Sequence, residues 1–388
     1  MQQEIPTKLI EKLIDIRRSL HENPEIAFEE FETTATIIRV LKENYIRIIP
    51  LGLQTGVVAE IGDASKGPTI AIRADIDALP IQEETELPFT SRNPGKMHAC
   101  GHDFHTAAIL GTAILLKEIE DELPGRILLV FQPAEEIGKG ALEIIKTNVL
   151  SDVQAIIGMH NKPDLPVGTV GIKSGPLMAS ADGFTVEVKG KSSHAAVPES
   201  GFDSIVAASH MITSIQSIVS RNISPLESAV VSVTKFHSGT AWNVISDKAV
   251  FSGTVRTFNQ EVRKIIRNRL FEMNQSVGNA FQTEINTVWK AGPPPVINDE
   301  KLAQIAREVA VGNGMHVVEP KVSAASEDFS YYLEDQAGLF IFFGTSGEYE
   351  WHHPKFNLDE KAIPLSVRFF KDFSMAILNK LSKDVISI

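Results

Sequence analysis

The sequence has a single cysteine, Cys100, among 388 residues, so no disulfide can close within the chain and a reducing compartment is the expected setting. Positive charge is also short. Lys and Arg number 37 against 49 Asp and Glu, a formal net charge of −12. That balance argues against a phosphate-binding surface, and no basic stripe for nucleic acid is present. No apolar run reaches the roughly 18 residues needed to span a bilayer. The opening stretch MQQEIPTKLIEKLIDIRR carries a charge every few positions and lacks the apolar core of a signal peptide. A cytoplasmic protein with neither a membrane nor a nucleic-acid partner is therefore expected. Internal repeats and low-complexity segments are missing too. What remains is ordinary globular composition, 43% apolar and 22% charged, over a length that favours two compact units.

Helical spacing puts Leu9, Leu13, Ile16 and Leu20 on one face over residues 6–22, and a second amphipathic helix is expected near 29–44. Short, almost wholly apolar runs follow at 57–59, 69–72, 127–131 and 155–159, alternating with helical stretches near 103–119 and 136–148. Runs of this kind read as strands buried on both faces of an α/β sheet. After about residue 176 the pattern changes. Phe184, Val186 and Val188 alternate with polar residues, as do Val231 and Val233, then Phe251, Gly253 and Val255, which predicts strands with one wet face. With helices near 203–220 and 260–277 and a last strand near 281–289, the order is that of a ferredoxin-like α+β sandwich. Gly292-Pro293-Pro294-Pro295 ends it as a stiff connector. Another apolar run, 339–343, then resumes the first pattern. The expected organisation is an α/β domain, residues 1–178 and 293–388, interrupted by an inserted α+β domain, residues 179–292.

Groups able to ligate a metal gather just past the ends of the core runs: Asp75 and Asp77, Glu135 and Glu136, and His160. Cys100-Gly101-His102-Asp103 opens a helix, and His352-His353-Pro354 follows the last run. In an open α/β sheet the carboxyl ends of the strands converge on one crevice, where residues distant in sequence meet. A thiol, imidazoles and an acidic pair in one crevice suit metal-assisted hydrolysis. A divalent ion polarises a poor electrophile and acidifies a poor nucleophile, water, toward a pKa of about 7. Of two adjacent glutamates, one can coordinate while the other takes the water's proton. Thiolate, imidazole and carboxylate all suit Zn2+, and the oxygen and nitrogen donors also accept Mn2+, Co2+ or Ni2+. Each residue alone has a plainer reading. Cys100 could be a small core residue, the two glutamates a response to a helix dipole, the aspartates turn residues, and His160 a satisfied core histidine. All of them at strand ends at once call for a common cause.

The motifs MHACGHDFHTAAILG, FQPAEE, GMHNKP and WHHPKF, in this order, resemble those of the aminoacylase-like metallopeptidases. The likeness is to the amidohydrolase branch that includes hippurate hydrolases and indole-acetyl-amino-acid hydrolases. RRSLHENPEIAFEE, IRADIDALPIQEET, GKSSHAAVPESGFD, GTAWNVI, GTVRTF and SEDFSYYLE extend the likeness over nearly the whole chain. The resemblance implies a zinc-peptidase-like catalytic domain, a mixed sheet flanked by helices, with an inserted lid that also forms a homodimer. It implies two divalent metal ions held by Cys100, His102, Glu136, His160 and His352, with Cys100 in place of a bridging carboxylate and His352 preferred to His353. Glu135 is implied as general base, and His194 as the group that stabilises the oxyanion, commonly in the partner subunit's site. Asn243 and Arg256 are implied to hold the carboxylate of a small N-acyl amino acid substrate. Other branches carry His-x-Asp where this chain reads Asp75-Ile76-Asp77, so a histidine ligand is missing there and His102 supplies it. Asp77 or Asp103 could then orient a ligand imidazole. The competing expectations are a dipeptidase or carboxypeptidase of the same family, a thiol hydrolase with Cys100 as nucleophile and His102 as base, and a non-catalytic ligand-binding homologue.

Overall fold

A computed structural model describes residues 5–383. Met1–Glu4, which belong to the stretch read above for a signal peptide, and residues 384–388 lie outside the described residues. The chain forms two units. One comprises the chain up to Gly175, Ile297–Lys321 and everything from Asp328 onward; the other comprises Pro176–Val296 and Val322–Glu327. The two main crossings fall at Gly175/Pro176 and Val296/Ile297, where the sequence reading placed them at 178/179 and 292/293. The return of Val322–Glu327 was not expected. That segment has no periodicity and is held by long-range backbone bonds, Ser323 N to Leu177 O at 2.8 Å and Ala179 N to Ser323 O at 3.0 Å.

In the first unit eight strands form one sheet. Their order is Arg47–Ile49, Val57–Gly62, Arg126–Gln132, Thr69–Asp75, Val153–Lys162, Ala337–Gly344, Thr169–Gly171, His316–Val318. The sheet is mixed. Thr69–Asp75 runs parallel to both its neighbours, and Val153–Lys162 is parallel to Ala337–Gly344, whereas Val57–Gly62 pairs antiparallel with Arg126–Gln132. Thr69–Asp75 is buried at every position, which is why it reads as an apolar run rather than an alternation. The helix His102–Glu118 is buried from His102 through Leu116 and packs on the helices Thr7–Glu22 and Ala362–Ser382.

Two local differences from the sequence reading bear on function. The helix expected at 136–148 begins only at Gly140. Before it the chain turns through left-handed Ala134 (φ 53°) and Gly138 (φ 63°), with Gly138 N bonded to Glu135 O at 2.7 Å. Glu135 and Glu136 thus sit in a turn, and the helix-dipole explanation for the pair loses its basis. His160 does not follow its strand but lies inside it, because pairing with the neighbouring strand continues to Lys162 opposite Gly344.

The second unit has a four-stranded antiparallel sheet in the order Ala229–Ser238, Lys248–Thr257, Asp182–Lys189, Glu284–Lys290. Numbered along the chain that is 2-3-1-4, the ferredoxin-like arrangement. Phe184, Val186, Phe251 and Val255 face Ala207, Met211 and Ile215 of one helix and Ile266 and Leu270 of the other in a common core. Val231 is buried but Val233 only half so, since the register slips between Val233 and Lys235. The helix expected at 203–220 divides at Gln216. The last strand starts at Glu284, after a turn through Gln282 with φ 58°. Among the described residues no helix is long and apolar enough to cross a membrane.

Candidate metal centre

Four separated segments of the first unit deliver five donors to one place. Cys100 and His102 flank Gly101, which caps the helix His102–Glu118 in the left-handed region at φ 81°. A Cβ on Gly101 would stand 2.4 Å from Asn161 Nδ2, so the tight step between the two donors requires glycine. Glu136 comes from the turn after Arg126–Gln132, and His160 from the strand Val153–Lys162. His352 sits in a loop with φ 65°. A non-glycine residue in that conformation costs about 1–3 kcal/mol and persists where its surroundings hold it.

Cys100, His102 and His160 place one donor atom each within 4.8 Å of one another, as do Cys100, Glu136 and His352. The two triads share only the sulfur. His160 Nε2 is 3.3 Å from Cys100 Sγ and His352 Nε2 is 3.6 Å from it; His352 Nε2 is also 3.3 Å from Glu136 Oε2. A third set, His102, Glu135 and Glu136, puts Glu135 within the same span. His353 is turned away, stacked on Tyr349 at 4.4 Å, with Nδ1 accepting from Lys355 N at 3.0 Å.

Hydrogen bonds aim the imidazoles. His160 Nδ1–H donates to Asn161 O at 2.9 Å, which leaves the Nε2 lone pair toward the sulfur. His102 Nδ1 faces Asp77 Oδ1 at 3.3 Å, and the other oxygen of Asp77 accepts from Glu136 N at 3.0 Å. Asp77 thus braces two candidate ligands. Asp103 does neither. Its carboxylate turns from His102 to His21 Nδ1 and Arg17 Nε, each at 2.8 Å, because consecutive residues of a helix do not share a face.

The sequence reading missed His105, one turn after His102. Its ring stacks on that of His102 at 5.4 Å, as the i, i+3 spacing in CGHDFH would have indicated. His105 Nε2 accepts from Asn161 N at 2.9 Å and its Nδ1 lies 2.5 Å from Asp75 Oδ1, so both ring nitrogens are engaged. Asp75, whose role the sequence left open, is held from below by Arg73 Nη1 at 2.7 Å. Arg73 also binds Asp328 and Gln132, and Asp328 N points at Glu135 Oε1 at 3.4 Å. A buried arginine in an apolar run was the available signal for this layer.

The electrostatics call for a cation. Burial, then the carboxylates of Glu136, Glu135 and Asp75, push the Cys100 thiol well above its ordinary value. Burial alone would lower His102, yet Asp75, Asp77 and Glu136 outweigh it and push the imidazole up to about 10. His102 Nε2 and Glu136 Oε1 are buried with no hydrogen-bond partner. Unpaired buried polar atoms are costly, and a divalent ion, by displacing the imidazole proton, would satisfy both while favouring the thiolate. The residues therefore fit a metal pair.

Of the remaining expected residues, all in the second unit, His194 is exposed on a two-residue strand opposite Val244. Its Nδ1 accepts from Ala196 N at 3.1 Å, so its proton sits on Nε2. Asn243 lies on the same ribbon, its carbonyl accepting from Ala195 N at 3.0 Å. Arg256 is half-buried on Lys248–Thr257, with Nη1 donating to Thr254 Oγ1 at 2.6 Å and to Val255 O at 3.0 Å.

A mixed α/β sheet carrying two donor triads at its crevice defines a metallopeptidase of the dinuclear kind. The chain belongs to such a family: the model of Peptidase family M20/M25/M40 matches residues 71–376. It is 52% identical over 379 residues to an N-acetyl-L-cysteine deacetylase of Bacillus subtilis (strain 168), covering 98% of this chain and 91% of that protein. It is 38% identical over 391 residues to the IAA-amino acid hydrolase ILR1-like 4 of Arabidopsis thaliana, covering 96% and 88%. Among solved structures it is similar to the Bacillus subtilis YXEP protein, a dinuclear metal binding peptidase from the M20 family. There the TM-score is 0.87, with 45% identity over 96% of this chain and 99% of that one.

Proposed function

We propose that the protein hydrolyses the amide bond of small N-acyl-L-amino acids, releasing a carboxylic acid and the free amino acid. The observation that carries this reading is the pair of donor triads joined through one sulfur, in a chain whose relatives include a deacetylase and an amino-acid conjugate hydrolase. Two divalent ions held by Cys100, His102, Glu136, His160 and His352 would supply Lewis acidity to the acyl carbonyl and acidify water. Zn2+ or Mn2+ suits the mixed donor set, and Co2+ or Ni2+ is compatible. Glu135 takes the proton of the attacking water and returns it to the amine nitrogen as the C–N bond breaks. His194 donates Nε2–H to the developing oxyanion. Asn243 and Arg256 bind the substrate carboxylate, the guanidinium in two-pronged fashion.

The protein works in the cytoplasm as a homodimer joined through the inserted unit. The outer strand Ala229–Ser238 of that unit exposes Val230 and Phe236 along an open sheet edge, a feature suited to pairing with a second copy. The thiol-hydrolase alternative fares poorly, since a nucleophilic cysteine needs a lowered pKa and the neighbours of Cys100 raise it. The test is a hydrolysis panel of N-acetyl, N-benzoyl and arylacetyl amino acids, with dipeptides alongside, under defined metal loading. Acyl-amino-acid turnover that chelation abolishes and Zn2+ or Mn2+ restores is expected. Turnover indifferent to chelators, or confined to dipeptides, would overturn the reading.

A further inference from the structure

Asn161 touches more of the donor cluster than any role assigned so far requires. Its Nδ2 donates to Cys100 O at 2.5 Å, which fixes the backbone carrying the sulfur. Its backbone carbonyl accepts from His160 Nδ1 at 2.9 Å and from Trp351 Nε1 at 3.1 Å, and its Oδ1 lies 3.3 Å from the same indole nitrogen. Trp351 directly precedes His352, and its ring packs on that of His160 at 4.4 Å. The backbone N–H of Asn161 fills His105 Nε2 at 2.9 Å. One fully buried residue thus ties the segments carrying Cys100, His160 and His352 together.

We infer that Asn161 is the positioning residue of the metal centre, setting where the Cys100 sulfur stands between the two donor triads. The inference rests on the metal-site reading given above. The chemistry at this position permits only the amide. A group that donates to a carbonyl on one side and accepts from an indole N–H on the other, with no charge to bury, is asparagine's. An aspartate has the same shape, but it would set a carboxylate oxygen against Cys100 O with no proton between them. The Cys100-Gly101 carbonyl would then have to swing away and carry the sulfur with it. Gly101 shows how closely the two are fitted, because any side chain there would strike the same amide. Outer groups that orient ligands in this way are worth about 10–100-fold in metal affinity.

The experiment uses the full chain, stripped of metal and reloaded with Co2+. The near-ultraviolet thiolate-to-cobalt band reports the sulfur's coordination, and competition with a chromogenic chelator reports affinity. Asn161→Asp is expected to bind Co2+ about 10–100-fold more weakly and to shift or weaken the band, while the circular dichroism of the metal-free protein stays unchanged. Wild-type affinity and an unaltered band in that variant would overturn the inference. Cys100→Ser separates the two levels of reading. If the wild type shows a band that Cys100→Ser abolishes, the metal site stands and the Asn161 variant is judged on its own. If the wild type shows no such band, the metal-site reading fails and takes this inference with it. Should Asn161→Asp not fold, Asn161→Ser, which keeps every backbone bond, replaces it under the same criteria.

Discussion

Two adjacent carboxylates, Glu135 and Glu136, stand in different surroundings, and the proposed division of base and ligand between them rests on that difference. Glu136 lies against His352 and Cys100, and its backbone N–H is held by Asp77. Glu135 Oε1 faces Asp328 N at 3.4 Å, and Glu135 belongs to neither triad that shares the sulfur, though a donor atom of it lies within 4.8 Å of His102 and Glu136. Replacing Glu135 by glutamine keeps the shape and removes the proton acceptor. General-base catalysis contributes about 10²–10⁴-fold, so kcat of Glu135→Gln is expected to fall by about that factor with bound metal unchanged. Steady-state hydrolysis with elemental analysis of the same sample measures both, and a variant that retains most of its turnover would remove Glu135 from the base's role.

The helix His102–Glu118 must present His102 at a fixed height, and a buried charge cluster anchors its first turn. Asp103 bonds His21 and pairs with Arg17 of the helix Thr7–Glu22, while His21 Nε2 reaches Glu83 at 3.2 Å. His98, also buried beside them, is pushed by burial down to about 3 and stays neutral. Burial and Arg17 disfavour a charged His21, but Asp103 and Glu83 outweigh them and its pKa is raised. A group whose folded pKa lies above its unfolded value, about 6.5 for histidine, stabilises fully below that value. It loses the contribution as pH rises through the folded one. The gap in Tm between wild type and His21→Gln is therefore expected to be widest near about pH 6 and to narrow toward alkaline pH. Thermal melts across that range check it, and a gap that widens with pH would show His21 to be neutral in the folded protein.

At the scale of the molecule, the crevice gathers Asp75, Asp77, Glu135 and Glu136 around His102, and two buried atoms there, His102 Nε2 and Glu136 Oε1, have no hydrogen-bond partner. Ions bound there stabilise the folded chain by mass action, about 3 kcal/mol when free ion stands about 100-fold above Kd. Chelation is expected to lower the Tm and re-addition of Zn2+ or Mn2+ to restore it, as followed by calorimetry; a Tm untouched by chelator would mean the site holds no ion. The residue types of this crevice were readable beforehand, because a strand buried on both faces shows as an apolar run and the groups at its end stand out. The insertion was readable too, since Phe184, Val186 and Val188 switch the period to two. Asp103, expected to steady a metal ligand, instead steadies the helix from behind. His105 carried a signal in its i, i+3 spacing from His102, whereas Asn161, between His160 and Lys162, gave no sign of what it holds, because its partners lie on distant segments.

Sequence alone determined the local facts: which runs are buried, where the chain turns, and which donors are available. That follows because periodicity and turn chemistry act over a few residues. Only the folded sheet decided which donors meet. The order of Arg126–Gln132, Thr69–Asp75, Val153–Lys162 and Ala337–Gly344, and the register that brings His160 opposite Phe342, are long-range pairings, and no local pattern encodes them.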